Sequence, residues 1–125
     1  MQSVSSPPAF SRFEVRGPLT WLRADTARVG STFLVTMAGQ ADYGNLRDQS
    51  VEALLGRYQQ SGCADVAVDL GAVTSADSTG MSWLLRLWDA AESRGSGVTL
   101  RNVPRHLQRL LVMSGIAGLF AYEDG

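Results

Sequence analysis

The run Val66-Ala67-Val68-Asp69-Leu70 constrains this chain most. It is a short, nearly continuous apolar stretch between the turn residues Ser61-Gly62 and Gly71, which is how a strand buried on both faces of a sheet reads. Such a strand sits centrally, with other strands beside it and helices packed on it. The rest of the chain has to supply both.

Upstream, Trp21 to Val29 and Thr32 to Ala38 read as two extended segments around Gly30-Ser31, a β-hairpin entering the core. Phe33, Val35 and Met37 share one face of the second segment, and Leu34 and Ala38 the other. After Gly39-Gln40-Ala41-Asp42, the positions Val51, Leu54, Leu55 and Tyr58 recur at helical spacing, and Asn45 or Asp48 can serve the helix start. The first helix is therefore expected from about 45 to 59.

Downstream, Gly71 to Ala76 reads as a loop. From Thr79 a second helix runs, with Met81, Leu84, Leu85 and Trp88 on one face, closed by Gly95-Ser96-Gly97. Val98-Thr99-Leu100 is the next strand. Pro104 suits a first helical turn, Leu107, Leu110 and Leu111 define a third helix ending near Gly115, and a last short strand falls at 119 to 122. The order β-β-α-β-α-β-α-β predicts an α/β fold: a mixed β-sheet with parallel pairs and right-handed crossovers, flanked by amphipathic helices.

A length of 125 residues suits one domain, expected over 21 to 125. Residues 1 to 20 read as an N-terminal extension. Positions 1 to 8 are a Ser/Pro-rich, frayed leader, and the imperfect alternation from Phe10 to Val15 before Gly17-Pro18 makes either an extra strand or an ordered arm.

Lys and Arg number 11 against 12 Asp and Glu, so the formal net charge is -1 and no sign dominates the surface. Binding to nucleic acid or anionic membrane through bulk basic charge is not expected. One cysteine, Cys63, and one histidine, His106, cannot form an intramolecular disulfide or a Cys/His zinc site. Cys63 sits in a loop, where it is incidental or forms an intermolecular disulfide. His106 reads as a surface or cap residue of the third helix. Asp65, Asp69 and Asp77 do not match a calcium loop, and there is no phosphate-binding Gly-rich run. No metal or cofactor is expected. Without a signal peptide or an apolar span, the expected setting is a reducing cytoplasm.

The chemistry concentrates at Asp77-Ser78-Thr79-Gly80, where a buried strand has ended and a helix begins. Ligands of α/β folds bind at the carboxyl ends of strands. One reading makes Asp77, Ser78 or Thr79 a helix cap worth about 1 kcal/mol. The other makes Ser78 an exposed acceptor of a phosphoryl group, with Thr79 as second choice. A phosphate there meets free N–H groups and the positive end of the helix dipole, yet adds a dianion beside Asp77 to any surface that a partner covers.

The stretch from Val66 to Met81 resembles the signature of STAS domains, the family of bacterial anti-sigma-factor antagonists and of the cytoplasmic tails of sulfate transporters. Met37-Ala38-Gly39-Gln40-Ala41-Asp42 stands where the family has Leu-x-Gly-Glu-x-Asp. The segment from Leu110 to Phe120 is similar to the family's ending. The resemblance implies a STAS fold and an antagonist that binds an anti-sigma factor, a serine kinase with a histidine-kinase-like ATPase fold, while unphosphorylated. Phosphorylation of Ser78 releases it, a PP2C-type phosphatase restores it, and sigma-dependent transcription tracks the cycle. Asp77 then orients and sets charge beside Ser78, and Asp42, Thr79 and Gly80 line the same surface. The chain is a substrate and a binder rather than an enzyme, and a homodimer stays open.

Gln40 stands in place of the family's Glu, which removes a charge near this loop. The sequence ends at Gly125, and the C-terminal helix of many antagonists is expected to be absent. STAS subunits that dock on the ATPase of phospholipid-transport ABC complexes also end early, and they are the alternative. Among the tryptophans, Trp88 falls on the core stripe, whereas Trp83 falls off it and is either an exposed anchor beside Ser78 or packed at the sheet's edge.

Overall fold

The computed structural model describes residues 10–17 and 20–123, the side chains of Phe10, Ser11, Asp48 and Gln49 excepted. The leader at 1 to 8, Pro18 of the Gly17-Pro18 break and the side chain of Asp48 lie outside the described residues. In chain order the elements are β1 (Phe10–Arg16), β2 (Trp21–Val29), β3 (Thr32–Ala41), α1 (Asp48–Ser61), β4 (Asp65–Ala76), α2 (Ser78–Glu92), β5 (Val98–Arg101), α3 (Arg105–Met113) and β6 (Ala121–Glu123). A 3-10 turn, Ala117–Leu119, precedes β6.

Each strand pairs with its neighbour in sequence, so the sheet order is β1-β2-β3-β4-β5-β6. β2 runs antiparallel to both β1 and β3, and β3 to β6 are parallel. A parallel step needs a crossover, and α1, α2 and α3 provide the three. The fold is the expected mixed sheet with amphipathic helices, and β4 lies inside it between β3 and β5.

The core forms where the helices meet one face of this sheet. Leu22, Ala24, Phe33, Val35, Met37, Val66, Val68, Leu70, Val98 and Leu100 are all buried there. The α1 stripe of Val51, Leu54, Leu55 and Tyr58 is buried as its spacing predicts, and the Tyr58 ring meets Phe33 at 5.6 Å between centroids. Burial pushes the Tyr58 phenol up, its hydroxyl donates to the Ala64 carbonyl at 2.7 Å, and the Arg94 guanidinium lies over its ring. Arg94 also donates to the Cys63 and Gln59 carbonyls, tying the end of α2 to the α1–β4 connection. Cys63 is itself buried, so the intermolecular disulfide is corrected: no partner thiol can reach it. His106 is exposed on α3.

Three sequence expectations need correcting. Residues 71 to 76 are the second half of β4, not a loop. They pair with residues 38 to 41 of β3 through two register shifts, and Thr74 donates to the Gly39 carbonyl at 3.1 Å. The irregularity turns both Leu70 and Val73 to the core, three residues apart, which breaks the period-two pattern by which a strand is recognised. The second face of β4 is not covered by helices among the described residues. Ala67 is buried there because it is small and its neighbours are taller. Finally, α1 starts at Asp48, with Arg47 as a cap residue that offers no side-chain bond, while Asn45 is buried before it.

The antiparallel hairpin joins the parallel half at Gly39. Its φ is 97°, and an added Cβ would collide with the Trp21 carbonyl oxygen. Gly39→Ala is expected to destabilise the protein by about 3 kcal/mol, the combined cost of left-handed strain and overpacking. A urea midpoint equal to that of the parent would contradict this tight approach.

Candidate functional site

Ala41 and Ala76 are paired residues at the carboxyl ends of β3 and β4. The segments leaving these two strands are therefore brought together: the turn from Asp42 to Arg47 after β3, and Asp77-Ser78 opening α2 after β4. Gly80, in the first turn of α2, is buried against this junction. A Cβ on it would stand 2.6 Å from the Ala41 carbonyl oxygen and 3.4 Å from the Ala76 side chain. The glycine lets the helix start press onto the strand ends, so its role is close approach and not the partner contact expected of it.

Asp77 caps α2. One carboxylate oxygen accepts from the Thr79 N–H at 2.8 Å, and the other accepts from the Tyr43 N–H at 3.1 Å. One side chain thus satisfies a free donor of the helix start and holds the neighbouring turn. Within that turn Asp42 accepts from the Asn45 N–H through both its backbone carbonyl and its carboxylate. The buried Asn45 amide donates to the Gln40 carbonyl at 2.9 Å and accepts from the Thr20 hydroxyl. The Gln40 side chain accepts from the Trp21 N–H at 3.0 Å, a bond that does not need the charge a Glu would bring.

Ser78 is exposed on this platform, and no described residue bonds its hydroxyl. Asp77 and Thr79 flank it in the chain, Asp42 opens the turn that Asp77 holds through the Tyr43 N–H, and all three are half-buried. A group attached to Ser78 would meet water and the N-terminal end of α2, with two carboxylates nearby.

Trp83 is not an exposed anchor. It is 2% exposed, and its indole N–H has no acceptor among the described residues. At about 100° per residue, the buried and half-buried positions from Gly80 to Ala91 cover an arc wider than a stripe on a flat sheet. The extra width on the Trp83 side faces α1, to which α2 is also joined by the Arg86–Glu52 ion pair. Trp88 is half-buried and Leu85 lies at the exposed edge.

The exposed aromatic beside Ser78 is Tyr43, 71% exposed, with the Arg47 guanidinium 6.0 Å from its ring. Its sequence signal is an aromatic standing alone in the polar stretch after Gln40. No group of three His, Cys, Asp or Glu residues gathers to hold a metal among the described residues, and none of their helices is long and apolar enough to cross a membrane.

A family model described as "Mlab, STAS domain" matches residues 24–121. No curated protein matches the sequence. Among solved structures, an anti-sigma factor antagonist from Mycobacterium paratuberculosis superposes with a TM-score of 0.70 at 16% identity, covering 86% of this chain and 89% of that one. The Bacillus cell fate determinant SpoIIAA in its phosphorylated form gives 0.62 at 16%, covering 82% and 90%. The murine anion transporter Slc26a9 gives 0.55 at 18%, covering 71% of this chain and 15% of the transporter. At these identities the likeness is one of fold.

The double use of Asp77 separates two variants. Asp77→Ala is expected to cost about 2 kcal/mol, losing the cap and the tie to Tyr43. Asp77→Asn keeps an acceptor for Thr79 and loses only the Tyr43 bond, so it should fall about halfway. Urea denaturation ranks the pair, and amide exchange at Tyr43 should quicken in both.

Proposed function

Since this chain belongs to the STAS domain family, we propose that it is an anti-sigma-factor antagonist, a binding module that phosphorylation of Ser78 turns off. The observation that carries this is the exposed Ser78 hydroxyl, unbonded among the described residues, at the first position of α2 on a platform capped by Asp77. A kinase needs an accessible hydroxyl, and Ser78 offers one on a helix start whose backbone the Asp77 cap holds. Thr79, one residue deeper into the helix and with its N–H held by the cap, is the poorer acceptor.

In the unphosphorylated state the partner, an anti-sigma factor of the kinase type, covers the tip around Ser78, Asp42 and Asp77 and packs on the exposed Tyr43 ring. Phosphoryl transfer is the partner's chemistry: the Ser78 oxygen attacks the γ-phosphorus of ATP, ADP leaves, and the hydroxyl proton passes to the partner's base. The product carries nearly two negative charges beside two carboxylates. A complex that had buried a neutral hydroxyl would then hold a desolvated dianion, so it dissociates without any unfolding of this domain. A PP2C-type phosphatase resets the switch.

The matched family model, whose description names Mlab, favours a second reading: a STAS subunit docked constitutively on the ATPase of a phospholipid-transport ABC complex. In that case charge at Ser78 has no regulatory meaning, and a pull-down recovers the ABC ATPase.

With ATP and the cognate anti-sigma kinase, mass spectrometry should find one phosphate at Ser78 and none on Ser78→Ala. Ser78→Asp should weaken binding to the kinase at least about tenfold, or ~1.4 kcal/mol. No phosphate, or equal binding by parent and Ser78→Asp, sinks the antagonist reading. Tyr43→Ala should weaken the same complex with little change in stability, as calorimetry can show.

A further inference from the structure

The face of the sheet away from the helices carries one charged row across all six strands. Register places Arg12, Asp25, Thr36, Asp69, Arg101 and Glu123 side by side, one residue from each of β1 to β6. The adjacent row from β2 to β6 is Ala27, Leu34, Ala67, Thr99 and Ala121, small side chains apart from Leu34. No described helix covers this face.

The row is complementary to itself when turned end for end. A two-fold axis parallel to the strands, between β3 and β4, exchanges β1 with β6, β2 with β5 and β3 with β4. Arg12 then opposes Glu123 of the second copy, Asp25 opposes its Arg101, and Thr36 opposes its Asp69. In the adjacent row Leu34 opposes Ala67, a large residue against a small one. Four of the five charges already pair in their own chain, Arg12 with Asp25 at 2.7 Å and Arg101 with Glu123, and Asp69 accepts from the Gly71 N–H and the Asn102 amide. Facing copies set these two ion pairs antiparallel, plus over minus at both ends, and the planar arginine forks can bridge two carboxylates at once.

We propose that this open face is a homodimer interface, sheet against sheet, with a second copy of this chain as the occupant. Six strands about 4.8 Å apart and some six residues of usable length make roughly 500 Å² per copy, below the ~800 Å² of a standard stable interface. The dimer is therefore weak, concentration-dependent and weakened by salt. It leaves the Ser78 tip free and does not depend on the function proposed above.

Sedimentation equilibrium of the full chain tests this. In low salt the parent should dimerise at about 100 µM, and added salt should shift it towards monomer. Arg101→Glu and Asp25→Lys should each be monomeric, since each homodimer would hold two like-charge contacts. Mixed in equal amounts they should form a heterodimer, because the carboxylate introduced on β5 of one chain then faces the ammonium introduced on β2 of the other. Leu34→Arg should be a folded monomer by circular dichroism. A parent that stays monomeric at ~1 mM, or a dimer indifferent to these changes or not recovered on mixing, overturns the interface.

Discussion

The contact on which the site depends is the approach of the first turn of α2 to the end of β3, where Gly80 lies against the Ala41 carbonyl. Protein interiors are close-packed and transmit small displacements, so this contact sets how far the Ser78 hydroxyl projects beyond the sheet. A side chain at position 80 would lift the helix start off the strand ends. The cap, the turn after β3 and the exposed serine would then no longer share one platform.

Asp77 extends that contact into a polar network. Its two carboxylate oxygens serve donors from two elements, and Asn45 and Gln40 continue the chain of bonds to β2. A buried Asn is tolerated because its amide is satisfied at both ends. The platform around Ser78 is therefore held largely by hydrogen bonds, while the body of the domain is held by apolar burial between one sheet face and three helices. Added charge at the tip changes what can bind there without disturbing the core.

The two sheet faces divide the work. One is buried by α1, α2 and α3. The other carries ion pairs among small residues, a composition that stays in water yet can meet a matching surface. This division explains the mixed burial of β4, where Val66, Val68 and Leu70 face the helices while Asp69 on the open face bonds the Gly71 N–H and the Asn102 amide.

Local periodicity determined much of this protein. The hairpin, the α1 stripe of Val51, Leu54, Leu55 and Tyr58, the alternation of strands and helices along the chain and the helix start at Asp77-Ser78 are all legible, because each is set by near neighbours along the chain. The second half of β4 is not, since its register shifts are imposed by β3 from some 35 residues away. Trp83 falls off the stripe read from its own helix, which leaves its burial open, because a helix wedged between a sheet and another helix buries a wider arc than that pattern announces. The placing of Tyr43 beside Ser78 and the cross-sheet charge row are invisible for a related reason. Which residues share a surface depends on strand pairing, and only the tertiary structure joins Asp42 to Asp77 or aligns Arg12 with Glu123.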